Sequence, residues 1–173
     1  MDFFHFSIFL VSLYPIFTSM KNVNDCIIIF KDLSNGEHSF RFEIGDAFFQ
    51  LFEGSEIEHG NLIIEVLLEK QPSCMQIVVN INGTVALTCD RCLENLILPV
   101  STNGELAVRF GKGEDSNPAD DDLLVLEPSE GEIDLTQYIY DNICVSLPLQ
   151  RVHPEGQCNP EMIKKLQNFI VNK

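Results

Sequence analysis

Basic charge is scarce in this chain. Eleven Lys and Arg stand against 26 Asp and Glu among 173 residues, giving a formal net charge of −15 and a pI near 4.4. A polyanion meets a repulsive average field, which argues against unaided tight binding to bare nucleic acid or to an anionic membrane. A basic stripe with interleaved aromatics, the usual footprint of a single-strand binder, is also missing. So are long apolar runs: Phe3 to Phe17 is interrupted by His5, Ser7, Ser12 and Pro15 and falls short of the roughly 20 residues that span a bilayer as a helix. No G-x-S-x-G, P-loop or H-E-x-x-H motif occurs, so no nucleophile and base are assembled for catalysis.

What is present is apolar mass. Hydrophobic residues make up 45% of the chain and include 13 Phe, enough to offset chain entropy and exclude wholesale disorder. The length suits one domain, and such a domain buries roughly two-thirds of its unfolded surface without needing disulfides. Residues 1–19 read as an apolar leader. Its start has Asp2 and no Lys or Arg before Lys21, which is poor for a secretory signal, so an over-extended start before Met20 is the first expectation and a signal-like or peripheral anchor the second. An ordered first element of the fold is the third. Residues 20–173 are expected to form a single domain.

Along that domain the patterning is mostly of period two. Cys26 to Phe30 is an apolar run, Ser34-Asn35-Gly36 a turn cluster, and Phe40, Phe42 and Ile44 alternate with polar residues, which predicts a first hairpin. Asp46 is placed to cap a short helix over Ala47 to Phe52. Leu62, Ile64, Val66 and Leu68 share one strand face. Met75 to Ile81 and Val85 to Cys89 alternate on either side of Asn82-Gly83, which predicts a hairpin with a two-residue turn. Leu96 to Val100 and Leu106 to Phe110 follow, with a bulge or second turn expected at Asn103-Gly104. The stretch 111–122 carries acids, Gly and Pro with almost no apolar content and reads as a solvated loop, before a short strand at Leu123 to Leu126. Asp134 and Gln137 have capping-box spacing before Leu135, Tyr138, Ile139 and Ile143, and Asn159-Pro160-Glu161 opens a last amphipathic helix. The expected class is α+β, an antiparallel β-meander with hairpins packed against two or three helices.

Six cysteines stand at 26, 74, 89, 92, 144 and 158, and only Cys89 and Cys92 have the C-x-x-C spacing that lets two sulfurs reach one metal from a tight turn. Two further ligands are on offer in His153 and Cys158, close together beside Pro154 and Gly156. Cys158 precedes the last helix, where the helix dipole is expected to favour its thiolate. The implied set is three cysteines and one histidine holding a structural zinc. A redox pair or disulfides in a secreted protein, and inert thiols, are the alternatives. A thioredoxin-type pair belongs at the start of a helix, whereas strands flank this one. Cys26, Cys74 and Cys144 are expected to be small buried hydrophobes. The acids Glu114, Asp115, Asp120, Asp121 and Asp122 lack calcium-loop spacing.

Four blocks, Leu87-Thr88-Cys89-Asp90-Arg91-Cys92-Leu93-Glu94, Gly131-Glu132-Ile133-Asp134-Leu135, Leu147-Pro148-Leu149 and Val152-His153-Pro154-Glu155-Gly156-Gln157-Cys158, resemble in order and spacing the YceD family, the large ribosomal RNA subunit accumulation proteins. The resemblance implies a bacterial cytoplasmic protein, with plant organellar relatives, that supports accumulation or processing of 23S ribosomal RNA and is not an enzyme. Cys89 and Cys92 match the family's C-x-R-C block, and His153 and Cys158 its terminal histidine and cysteine. The acidic charge then suits a basic ribosomal protein or rRNA-processing factor as partner, with rRNA contacted indirectly and no membrane involved.

Overall fold

Alternating aliphatic residues in three long strands generate the main sheet. In the computed structural model, which describes residues 18–19, 26–111, 123–127 and 129–171, these are β4 (His59–Lys70), β5 (Cys74–Thr88) and β6 (Asn95–Phe110). One face of each points inward: Leu62, Ile64, Val66 and Leu68 on β4, Met75, Ile77, Val79 and Ile81 on β5, and Leu96, Val100 and Val108 on β6. The antiparallel registers bring like onto like, with Val66 opposite Val79, Leu68 opposite Ile77 and Leu87 opposite Leu96. A one-residue slip would turn every one of these side chains to water, so burial itself enforces the pairing.

Preceding these are β1 (Thr18–Ser19), β2 (Ile27–Ile29), β3 (Gly36–Ile44) and α1 (Asp46–Phe49). Following them are β7 (Leu123–Leu126), β8 (Glu132–Asp134), α2 (Thr136–Ser146) and α3 (Pro160–Val171). The α+β class is as expected. The sheet order is β1-β3-β4-β5-β6-β7, antiparallel from β3 to β6, while both edges pair in parallel, β1 with β3 and β7 with β6. β3 to β6 form the expected antiparallel meander, and the two edge strands depart from it. Twelve residues separate β6 from β7, enough for the crossover that a parallel neighbour needs and a two-residue turn cannot provide. The apolar run 3–17 and the acidic segment 112–122 lie outside the described residues. Among the described residues, no helix is long and apolar enough to cross a membrane.

Three expected turns are corrected. The first hairpin does not form, because β2 pairs with β8 as a separate two-stranded ribbon that buries Ile28 and Ile133. Lys70 holds the departing chain off the sheet, its ammonium donating to the carbonyls of Phe30 (2.8 Å) and Leu33 (2.7 Å). Asn82-Gly83 does not turn either. β5 runs straight through it, and Gly83 is there because the neighbouring backbone passes too close for a side chain: a Cβ would lie 2.2 Å from the Asn61 carbonyl oxygen and 2.7 Å from Leu62 Cα. Asn103-Gly104 is likewise mid-strand with neither bulge nor turn, and a Cβ on Gly104 would meet the Tyr138 hydroxyl at 2.5 Å. In both cases the glycine marks close approach rather than chain reversal.

The helices close the core. Phe48 and Phe49 of α1 and Ile139 and Ile143 of α2 are fully buried with the inward strand residues, and Phe52 stacks on Tyr140 with ring centroids 3.7 Å apart. Burying each such side chain stabilises by roughly 1.5–3 kcal/mol, so this core outweighs any single polar contact. Asp46 is inside α1 rather than its cap: its carboxylate accepts from His59 Nδ1 (2.9 Å) and the Gly60 N–H (3.0 Å), tying α1 to β4. The expected capping box at α2 does not form: Leu135 is the cap residue, Asp134 before it accepts the Thr136 N–H, and Gln137 donates to Asp141. Asn159 caps α3 as expected, accepting the N–H of Glu161 at 2.9 Å.

Two predictions follow from these contacts. Gly83→Ala should destabilise the protein by about 1–3 kcal/mol in urea unfolding, the range for overpacking, and an unchanged midpoint would restore the turn reading. His59 raises the charge separation it shares with Asp46: their hydrogen bond holds the carboxyl below 3.8 and the imidazole above 6.5. The carboxylate's contribution is present above 3.8 and fades as pH falls through its lowered pKa; that of the imidazolium is complete below 6.5 and fades as pH rises through its raised one. His59→Gln should therefore lose most stability relative to wild type between those values, and a pH-independent difference would contradict the assignment.

Candidate metal centre

The β5–β6 hairpin ends at the pair Thr88 and Asn95, leaving Cys89 to Glu94 to close it. Within this turn the Cys89 N–H donates to the Glu94 carbonyl and the Leu93 N–H to the Cys89 carbonyl, both at 2.9 Å. So tight a turn needs a residue in the left-handed region, and Leu93 occupies it with φ 62°. For an L-residue that conformation costs about 1–2 kcal/mol, and Leu93 recovers little by packing because two-thirds of it is exposed. The strain turns the amides of the turn inward, toward the cysteine sulfurs.

The second half of the site comes from the segment between α2 and α3. Asp90 and Arg151 exchange hydrogen bonds, the Asp90 N–H donating to the Arg151 carbonyl (2.8 Å) and the Arg151 N–H to Asp90 Oδ2 (2.7 Å). This lays His153 and Cys158 against the turn. The ligand atoms of Cys89, Cys92, His153 and Cys158 all lie within 4.8 Å of one another, so the four form a Cys3His cluster that could hold a metal ion. Nδ1 of His153 is 3.3 Å from Cys92 Sγ and 4.0 Å from Cys158 Sγ. Its Nε2 lies 3.0 Å from the Asn95 carbonyl, which can only accept; Nε2 therefore carries a hydrogen and Nδ1 is the atom turned to the sulfurs.

Burial and backbone amides set the protonation of the thiols. Burial alone would raise the Cys89 pKa, but the N–H groups of Cys92, Arg91 and His153 bring it from 9.0 down to about 6. Burial opposes ionisation of Cys92 too, and the N–H groups of Asn159 and Glu94 again lower its pKa overall. Cys158 goes the other way: burial raises it, against Arg91, whose Nε–H donates to its sulfur at 3.2 Å. The expectation that the last helix favours the Cys158 thiolate is thus corrected, because the amide at that helix start serves Cys92. Arg91 also donates from Nη2 to the His153 carbonyl at 2.7 Å.

The sequence reading missed the residues that support the cluster: Arg91, Leu93, Asn95 and Arg151. Its one available signal was the polar character of Asp90, Arg91 and Glu94 in a turn between two apolar strands. The other three cysteines stay out of the cluster. Cys26 is buried and Cys74 half-buried, but Cys144 is exposed, contrary to expectation. His38 bonds to the Ser34 carbonyl and His59 to Asp46, while His5 and the acids at 114–122 lie outside the described residues. The strain at Leu93 gives a direct check: Leu93→Gly should raise stability by about 1 kcal/mol, less the entropy that glycine adds to the unfolded chain. A fall in the urea midpoint would show that Leu93 serves some packing role instead.

No curated protein and no solved structure matches the chain. A family model described as the large ribosomal RNA subunit accumulation protein YceD matches residues 77–168, just over half of the sequence, from near the start of β5 into α3 and through all four residues of the cluster. On that match, this chain belongs to the YceD family.

Proposed function

We propose that the protein is a non-enzymatic factor in large ribosomal subunit biogenesis, supporting 23S rRNA accumulation or processing in the cytoplasm, and that Cys89, Cys92, His153 and Cys158 hold a structural zinc ion. The observation that carries the metal assignment is the convergence of the four ligand atoms to within 4.8 Å. Three thiolates and an imidazole are soft and borderline donors that suit zinc and not magnesium or calcium. Four protein ligands complete a tetrahedron, and with Cys89 and Cys92 fully buried the arrangement fits a structural role better than a catalytic one, which needs an open position. Such an ion would fasten the β5–β6 hairpin to the segment that leads into α3.

The biogenesis role rests on family membership and on charge. At −15 the protein attracts basic partners and repels polyanions, so a basic ribosomal protein or rRNA-processing factor is the direct contact and rRNA an indirect one. The redox alternative has less behind it, since the Cys89–Cys92 pair stands in a turn between two strands and not at the start of a helix.

Native mass spectrometry of the purified chain should find one zinc ion, absent from the double variant Cys89→Ser, Cys92→Ser. If free zinc stands a thousandfold above its Kd, that variant should also lose about 4 kcal/mol of metal-dependent stability. Zinc retained by the double variant would sink the ligand set. Depletion of the protein in its own host should lower mature 23S rRNA, with rescue by wild type; an unchanged rRNA profile would sink the biogenesis role.

A further inference from the structure

The cluster is made of two half-sites that lie far apart in the chain, and the contacts joining them need no ion. Arg151 is at the centre of these contacts. Its backbone pairs with Asp90 on both sides, N–H to Oδ2 at 2.7 Å and carbonyl to N–H at 2.8 Å. Its guanidinium bonds Glu56 through Nη1 and lies 3.7 Å from Asp90 Oδ1 through Nη2. Glu56 is itself fixed to the sheet, for Ile57 beside it is buried and the Glu58 N–H donates to the Ala86 carbonyl at 3.0 Å. One side chain therefore connects three parts of the protein: the stretch between α1 and β4, the turn that carries Cys89 and Cys92, and the segment that carries His153 and Cys158. Glu56 lies outside the matched stretch 77–168, so this anchor belongs to the part of the chain that the family model does not cover.

Exposure separates a positioning role from a stabilising one. The Arg151 side chain is 23% exposed, but its partners Glu56 and Asp90 are 70% and 42% exposed. Ion pairs with solvated carboxylates add little to global stability. A forked, planar cation held between two carboxylates does fix direction, however, and Arg151 is two residues from His153.

We propose that Arg151 is a positioning residue that holds the His153–Cys158 half-site against the Cys89–Cys92 turn before any ion arrives, with Glu56 as its anchor on the sheet. This rests on the reading of the cluster as a zinc site. Outer contacts that orient metal ligands commonly change affinity by 10- to 100-fold. The two half-sites then already face one another when the ion binds, with their ligand atoms within 4.8 Å.

Two measurements on the purified full chain test this. In competition with a chromophoric chelator for zinc, Arg151→Ala and Glu56→Gln should each weaken binding about tenfold, and the double variant no further than Arg151→Ala, because both act through one contact. Arg151→Lys should recover part of the loss. Ile139→Val, a core change remote from the cluster, should leave the affinity unchanged. Wild-type affinity in Arg151→Ala, or an equal loss in Ile139→Val, would overturn the proposal. In metal-free protein, hydrogen exchange across residues 149–158 should be faster in Glu56→Gln and Arg151→Ala than in wild type; unchanged exchange also overturns it. Faster exchange in the variants, together with no zinc uptake by wild type, would uphold the Arg151 contact and overturn the zinc reading alone. Glu56→Gln, a surface change, keeps the test open if Arg151→Ala fails to fold.

Discussion

Fifteen cross-strand pairs join β5 to β6 without a slip, from Cys74 opposite Arg109 to Thr88 opposite Asn95, and their register sets where the cysteine turn stands. The same register points Ile77, Val79 and Ile81 into the core. It also leaves room at Gly104 for Tyr138, whose hydroxyl donates to the Glu105 carbonyl at 3.0 Å and so seats α2 on the sheet. Shifting the hairpin by one residue would expose the core face and displace the cluster together, because side chains alternate with a period of two. Core and site are thus two consequences of one pairing.

The cluster shows how a buried polar site is made tolerable. Three thiols and an imidazole in a place with little water would be costly if unsatisfied. Backbone amides from the turn and from Asn159 serve Cys89 and Cys92, Arg91 serves Cys158, and the Asn95 carbonyl takes the outer hydrogen of His153. The strain at Leu93 is the local cost of turning those amides inward. Cys89, Cys92 and Cys158 are also members of the continuous core, so the cluster closes the end of the same apolar interior that the sheet, α1 and α2 build. What the cluster fixes is the path of the chain from α2 to α3.

That path sets where α3 lies. α3 meets the rest of the protein chiefly through its first turn, where Met162 and Ile163 are half-buried and Asn159 bonds Glu94, while Leu166 and Phe169 further along are exposed. The orientation of this helix is therefore governed from its N-terminal end, beside Cys158. A net charge of −15 favours encounter with basic molecules over polyanions at long range.

Residue patterns alone carried the α+β class, the alternation within the strands and the four residues that converge. Alternation at Leu62 to Leu68 and Met75 to Ile81 is local, and each strand follows from it; the Asn159 cap is equally local. The C-x-x-C spacing, with His153 and Cys158 downstream, named four residues that the fold does bring together. Glycine was the point of failure. At Asn82-Gly83 and Asn103-Gly104 the sequence looks like two turns, because a missing side chain serves a tight turn and a close neighbour equally well. Only the approach of Asn61 to one and Tyr138 to the other distinguishes them. Likewise nothing near Ile28 announces Ile133 as its partner, and nothing near Arg151 announces Glu56. The sequence by itself determined which residues are apolar, which can bind a metal and where the chain can alternate, since these are properties of single residues and their near neighbours. The tertiary structure decided which strand lies beside which, which glycine leaves space and which for chain reversal, and which thiol ionises, because those depend on groups brought close from distant parts of the chain.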